Sequence, residues 1–193
     1  MKYISIDIET TGLDPDKDQI LEVAMIEDDL SEQKPFDLLR KLHVLVLHPR
    51  YNVDDFILNL HTQNGLFADL ARAKAIMKDK CVLYNADTIF CEINTLYSVL
   101  LPWLKEPKYN VAGKNVSGFD IPFLTRICPA FAKKFRRRTI DTAILYYQKG
   151  DDSLPDLSEC KKRSGLADIC VAHRAMGDAW DVVQLIRHAW RNL

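Results

Sequence analysis

Over positions 2–8 apolar and polar residues alternate and β-branched side chains are frequent, which predicts a strand. Thr10-Thr11-Gly12 ends it, and Asp14-Pro15-Asp16 makes a turn. Positions 20–26 predict a second strand, and 38–47 a third, stopped at His48-Pro49. The period then lengthens. Positions 53–60 and 66–77 predict short helices. Ile89, Ile93, Leu96, Tyr97, Leu100 and Leu104 recur at the spacing of one helix face, so a helix is expected over 89–104. Positions 109–112 predict a short strand, and 119–127 a helix with Pro122 in its first turn. Positions 139–145 read as a strand running into a helix. The last helix, 175–190, has one apolar face of Ala179, Val182, Val183, Ile186, Ala189 and Trp190. Three strands followed by helices alternating with short strands make a mixed α/β domain. No repeat or Gly/Ser linker divides the 193 residues, so a single domain over 1–193 is expected.

Composition narrows the function. Apolar residues make up 48% and charged residues 27% of the chain, an ordinary globular balance that argues against disorder. The net charge of −1 provides no global basic field, which excludes non-specific coating of long DNA. Charge can still cluster locally. Lys133-Lys134-Phe135-Arg136-Arg137-Arg138 is such a cluster, either a track for a phosphate backbone or a solvated basic surface. Lys161-Lys162-Arg163 is a lesser one. Cys81, Cys91, Cys128, Cys160 and Cys170 are too scattered for a C-x-x-C motif and read as reduced thiols. No apolar run nears the roughly 18 residues of a membrane span. The opening run is broken at Asp7 and is too short for a signal peptide. A cytoplasmic protein with no membrane partner is expected.

Three short motifs carry the candidate chemistry. Asp7 and Glu9 are two apart on the first strand, so their carboxylates share a face, a natural site for a hard divalent cation. About four acid-x-acid pairs are expected by chance in such a chain, and a solvated strand end is the plain alternative. This pair, however, interrupts an otherwise core-like strand. Asn115-Val116-Ser117-Gly118-Phe119-Asp120 lies between a strand and a helix, where Ser117 or Asp120 also suits a helix cap. His173-Arg174-Ala175-Met176-Gly177-Asp178 opens the last helix. On a continuous helix His173 and Asp178 would stand about 140° apart, so they converge only if His173 precedes the regular helix. Gly177 permits such a late start. A surface His and an Asp favoured by the helix dipole are the alternative. Asp181, one turn on, is a competing acid.

Together the three motifs resemble the DEDDh branch of the DnaQ-like 3′–5′ exonucleases, which have a ribonuclease H-like fold. Asp7-Ile8-Glu9-Thr10-Thr11-Gly12-Leu13 is similar to that family's D-x-E…T-G-L motif. Asn115 to Asp120 matches N-x-x-x-F/Y-D, and His173 to Asp178 matches H-x-x-x-x-D. The order is the family's, and the resemblance spans essentially the whole chain. Oligoribonuclease, ribonuclease T and proofreading exonuclease domains are of this type.

The resemblance implies an α/β, ribonuclease H-like mixed sheet flanked by helices. It also implies that Asp7, Glu9, Asp120 and Asp178 are the metal ligands and that His173 is the general base. Four such acids would repel and raise one another's pKa values, and two Mg2+ or Mn2+ ions would cancel that charge. The ions would flank the scissile phosphate about 3.5–4 Å apart. An imidazole, with an unperturbed pKa near about 6.5, can take a proton at neutral pH. Thr10, Thr11, Gly12 and Leu13 would meet the 3′ nucleotide, with Leu13 wedged against a base, and Asn115 and Phe119 would shape the pocket. Core packing is the alternative for Leu13 and Phe119. His61, in His61-Thr62-Gln63-Asn64-Gly65-Leu66, resembles a segment that approaches the terminal nucleotides, although an interhelix turn ending on a C-cap Gly gives the same pattern. The expected partner is single-stranded or short RNA or DNA with a free 3′ end, and related stand-alone enzymes are often homodimers. A catalytically silent nucleic-acid-binding module or a ribonuclease H-type endonuclease would share the fold. Metal-dependent 3′ shortening separates the first from an exonuclease, and a closed circular substrate separates the second.

Overall fold

In the computed structural model, which describes residues 1–77, 80–166 and 173–192, the first three strands pair as the alternation requires. They are β1 (Lys2–Thr10), β2 (Ile20–Asp29) and β3 (Arg40–Leu47), antiparallel throughout. Two helices follow, α1 (Asp55–Gln63) and α2 (Leu66–Ile76). A hairpin of β4 (Cys81–Leu83) and β5 (Thr88–Glu92) comes next, then α3 (Leu96–Trp103) and β6 (Tyr109–Ala112). The chain continues through α4 (Asp120–Ile127), α5 (Ala130–Lys134), β7 (Phe135–Ile140), α6 (Thr142–Leu145), α7 (Leu157–Ser164) and α8 (Ala175–Arg191). The sheet order is β4-β5-β3-β2-β1-β6-β7, with β6 parallel to β1, β7 parallel to β6, and β5 parallel to β3.

Alternation along β1 divides the core between two faces. Ile4, Ile6 and Ile8 point to one face, where Leu96 and Leu100 of α3, Leu124 of α4 and Phe131 of α5 cover them. Tyr3 points to the other, against Ala179, Val182, Val183 and Ile186 of α8. On this face α8 lies close, and the Ser5 hydroxyl donates to the Ala179 carbonyl at 2.8 Å. Further along the sheet, α2 packs Leu66, Leu70 and Ala73 on Leu21, Leu45 and Phe90. No helix among the described residues is long and apolar enough to cross a membrane.

The helix expected over 89–104 is corrected. It divides into β5, a 3-10 turn at Ile93–Thr95, and α3. Ile89, Phe90 and Cys91 are three successive apolar residues, the pattern of a strand covered on both faces. They pair with Val44, Leu45 and Val46 of β3. The helix-like spacing of Ile89 and Ile93 arises because both pack on one core cluster from different elements. β7 also begins earlier than expected, because its arginines conceal the strand pattern. Arg136, Arg137 and Arg138 are exposed along this sheet edge, where charge deters edge-to-edge pairing. Lys134 instead caps carbonyls of Leu104 and Glu106 at 2.9 and 3.0 Å. β4, α5 and α7 are further elements that periodicity missed. α7 is short, N-capped by Asp156 and ended by Gly165 at φ 72°.

A buried ion pair locks α8 in place. Arg187 Nε and Nη2 donate to Asp28 at 3.0 and 2.5 Å, and the Tyr3 hydroxyl donates to the same carboxylate at 2.8 Å. Removing one partner strands a charge in the core. Arg187→Ala is therefore expected to lower unfolding free energy by about 3–5 kcal/mol, measured by urea denaturation.

Candidate active site

The β1 face that meets α8 carries Tyr3, Ser5, Asp7 and Glu9 in turn. Tyr3 and Ser5 are buried, and the two acids continue the row. Asp178, in the first turn of α8, meets them there. Ligand oxygens of Asp7, Glu9 and Asp178 lie within 4.8 Å of one another. Asp120, the first residue of α4, is 3% exposed, and its Oδ1 has no hydrogen-bond partner among the described residues. It joins the group, because its charge raises both Asp7 and Glu9. Asp181 does not join. It pairs with Lys161 of α7 at 2.6 Å.

Burial and crowding act together on these acids. Burial first, then the charges of Asp120, Glu9 and Asp178, push the Asp7 carboxyl well above the usual range. Burial, then Glu22 and Asp178, push Glu9 up to about 8. Burial lifts Asp120 to about 8 against the opposing pull of backbone N–H groups. Such a set wants positive charge. Its donors are all carboxylate oxygens, and one of them, on Asp120, is buried and unbonded. Hard divalent cations fit this donor set.

A fifth carboxylate stands behind the group, and the sequence reading missed it. Glu22 of β2 lies directly opposite Glu9. It accepts from Arg174 Nε and Nη2 at 3.2 and 3.0 Å and from the Ala175 N–H at 3.0 Å, and it lies 2.6 Å from His43 Nε2. Burial would raise it, but the bonds from His43 and Arg174 hold it below the usual carboxylate range. Arg174 also reaches Asp69 Oδ2 of α2 at 3.0 Å and the Asn64 carbonyl at 3.4 Å. One guanidinium thus ties β2 and α2 to the start of α8. The available signal was an acid inside the apolar run Ile20-Leu21-Glu22-Val23-Ala24, the same anomaly that marks Asp7.

His173 stands two residues before α8, so the helix does start late. It is exposed, its φ is 49°, and its carbonyl accepts from the Asn64 side chain. Asn115 has φ 51°, and these two are the non-glycine residues of positive φ among those described. Such backbone is held only where surroundings enforce it. The Asn115 N–H donates to Asp141 at 3.1 Å, and a Cβ on Gly118 would meet Asn115 Oδ1 at 2.5 Å. Phe119 is half-buried against Phe123, with ring centroids 5.1 Å apart.

The remaining candidates form the loop after β1. The Thr10 hydroxyl donates to the Gly12 carbonyl at 2.5 Å, and the Thr11 hydroxyl accepts from the Gln19 N–H at 2.9 Å. A Cβ on Gly12 would collide with the Asp18 carboxylate. This bracing leaves Leu13 83% exposed. His61 lies beneath the loop, 1% exposed, with Nε2 3.3 Å from the Thr10 carbonyl and 3.8 Å from Glu9. Burial holds its imidazole below the usual range. Leu13 and His173 are therefore exposed, while Thr10, Thr11 and His61 are buried.

The exonuclease family RNase_T matches residues 4–186. The chain belongs to this family. Within it, the chain is 30% identical to oligoribonuclease of Actinobacillus pleuropneumoniae over 146 residues, 74% of this chain and 70% of that one. Oligoribonuclease of Photobacterium profundum is 25% identical over 189 residues, 96% and 91% of the two chains. Among solved structures, the zinc-bound complex of E. coli exonuclease I with single-stranded DNA overlays with a TM-score of 0.68 at 16% identity. That overlay covers 98% of this chain and 40% of the neighbour, so this chain spans about two-fifths of exonuclease I. The overlay shows the ribonuclease H-like α/β fold. As a family member the chain is a DnaQ-like 3′–5′ exonuclease, and the family implies divalent metal ions.

The raised carboxyls give this exonuclease a pH signature. Glu9 and Asp120 hold protons up to about 8 in the folded chain, whereas an unfolded carboxylate loses them near about 4. Between those values the folded state binds more protons, so stability falls as pH rises. In chelator the thermal midpoint should fall from about pH 5 to about pH 8.5, and added Mg2+ or Mn2+ should restore most of it at the alkaline end. Differential scanning fluorimetry across pH checks both slopes.

Proposed function

We propose that this chain is one exonuclease domain over 1–193 that acts in the cytoplasm on single-stranded or short nucleic acid. It trims from a free 3′ end and releases nucleoside 5′-monophosphates. Asp7, Glu9, Asp120 and Asp178 hold two Mg2+ or Mn2+ ions, and His173 is the general base. The observation that carries this reading is the meeting of Asp7, Glu9 and Asp178 from β1 and α8 within 4.8 Å, beside the bare oxygen of Asp120. The relatives named oligoribonuclease and the exonuclease I bound to single-stranded DNA support the substrate class.

The bound ions supply the positive charge that a phosphodiester needs at its reacting oxygens. The chain's own side chains do the rest. His173 takes the proton of the attacking water, and its exposure leaves the ring free to meet substrate. Its carbonyl is held by Asn64, and Arg174 beside it is held by Glu22 and Asp69, which orients the base from behind. Leu13 offers an apolar edge against which the terminal base packs. Thr10, Thr11 and Gly12 brace that edge, with His61 beneath them. Asn115 and Phe119 shape the wall next to Asp120.

The direct test is digestion of 5′-labelled RNA and DNA oligonucleotides of several lengths. A ladder shortening from the 3′ end is expected with Mg2+ or Mn2+, none in chelator, and none when the 3′ end carries a phosphate. Cleavage of a closed circle, or shortening from the 5′ end, would overturn the reading. The comparison of RNA with DNA assigns the preferred substrate.

The base role has its own test. His173→Ala removes a proton acceptor and leaves all four acids in place. General-base catalysis is worth about 10²–10⁴-fold, so kcat should fall by that factor while metal binding, read by calorimetry, is retained. Wild-type turnover in the variant, or loss of metal, would remove His173 from that role.

A further inference from the structure

The hairpin of β4 and β5 lies at the opposite end of the sheet from β7, with β3 and β2 between it and the acids of β1. Its register sets Cys81 directly opposite Cys91. The flanking hydrogen bonds define the kind of pair. The Glu92 N–H donates to the Lys80 carbonyl at 2.9 Å, and the Tyr84 N–H donates to the Thr88 carbonyl at 2.8 Å. Pairs 80/92 and 84/88 are therefore hydrogen-bonded. Antiparallel ladders alternate, so 82/90 is also a bonded pair and 81/91 is not. Opposed residues of a non-bonded pair have Cα atoms about 4.5 Å apart and side chains on the same face. That separation lies within the roughly 4.4–6.8 Å that a disulfide spans.

Both thiols are free, and they differ in access. Cys91 is wholly buried in the cluster beneath α3, while Cys81 is exposed on the edge strand. One sulfur can meet a small reagent, and the other waits across the ladder. Cys128 is half-buried and Cys160 buried, both on other elements.

We propose that Cys81 and Cys91 form a dithiol that a small-molecule disulfide oxidises to a cross-strand disulfide bond. The Cys81 thiolate attacks one sulfur of the reagent, breaking its S–S bond and releasing one thiolate. Cys91 loses its proton and attacks Cys81 Sγ, which breaks the mixed disulfide and releases the second thiolate. Two protein thiols are oxidised and one small disulfide is reduced to two thiols. Burial raises both protein thiols, so the reaction runs faster in mild alkali, where more thiolate is present. The product ties β4, which pairs with β5 alone in the sheet order, to the strand that β3 anchors.

The test incubates the full chain with oxidised glutathione at about pH 8.5, then reads intact mass and a non-reducing peptide map. A monomer lighter by two hydrogen atoms, with a Cys81–Cys91 linked peptide that dithiothreitol reverses, is the expected result. Cys81→Ser changes an exposed residue outside the candidate site, and it should show no such loss. A persistent glutathione adduct on Cys81 with Cys91 still free would overturn the proposal. So would covalent dimers, a link through Cys128, Cys160 or Cys170, or no oxidation at all. Loss of the two hydrogens in the Cys81→Ser variant would overturn it equally.

Discussion

The candidate site depends on how closely α8 approaches β1. The crossing is made of small residues: Ser5 and Ala24 on the sheet, Ala175 and Ala179 on the helix, all buried. The hydroxyl of Ser5 bonds the helix backbone itself. A bulky residue at this crossing would lift the helix and draw Asp178 away from Asp7 and Glu9. The Arg187–Asp28 pair lies about two turns along the same helix and sets its rotation. One residue of slippage would turn Asp178 by about 100°, off the face that sees the strand. Packing in the core thus fixes charge geometry at the rim.

That geometry concentrates like charge, and backbone arrangement offsets part of it. Asp120 and Asp178 both occupy the first turn of a helix, where the partial positive charge of unpaired N–H groups favours a carboxylate. Glu22 has Arg174, His43 and the Ala175 N–H. Asp7 and Glu9 lie on a strand, and burial and their acidic neighbours push both above the ordinary carboxylate range. The net charge of the chain, −1, conceals this arrangement completely.

The readable parts of the sequence were those governed by local rules. β1, β2, β6, α4 and α8 follow from alternation and helical spacing. The three motifs marked Asp7, Glu9, Asp120 and Asp178, three of which the structure gathers within 4.8 Å. The late start of α8 followed from the geometry of His173 and Asp178. Long-range pairing was hidden. β5 resembles a helix until β3 lies beside it, and β7 is concealed by arginines that suit only an edge. Glu22 and Arg174 are 152 residues apart, and neither shows in a local pattern that the other is its partner.

Of the nine residues of α1, only His61 is buried. It is fastened to the body by the His61 imidazole under the Thr10 carbonyl, backed by the Phe67 ring 5.9 Å away, and by Asn64 at its C-terminal end, which bonds His173 and Arg174. Few buried contacts mean a small free-energy cost of local opening. Because the His61 contact also touches the loop that carries Leu13, local opening of α1 would loosen the support beneath this exposed leucine.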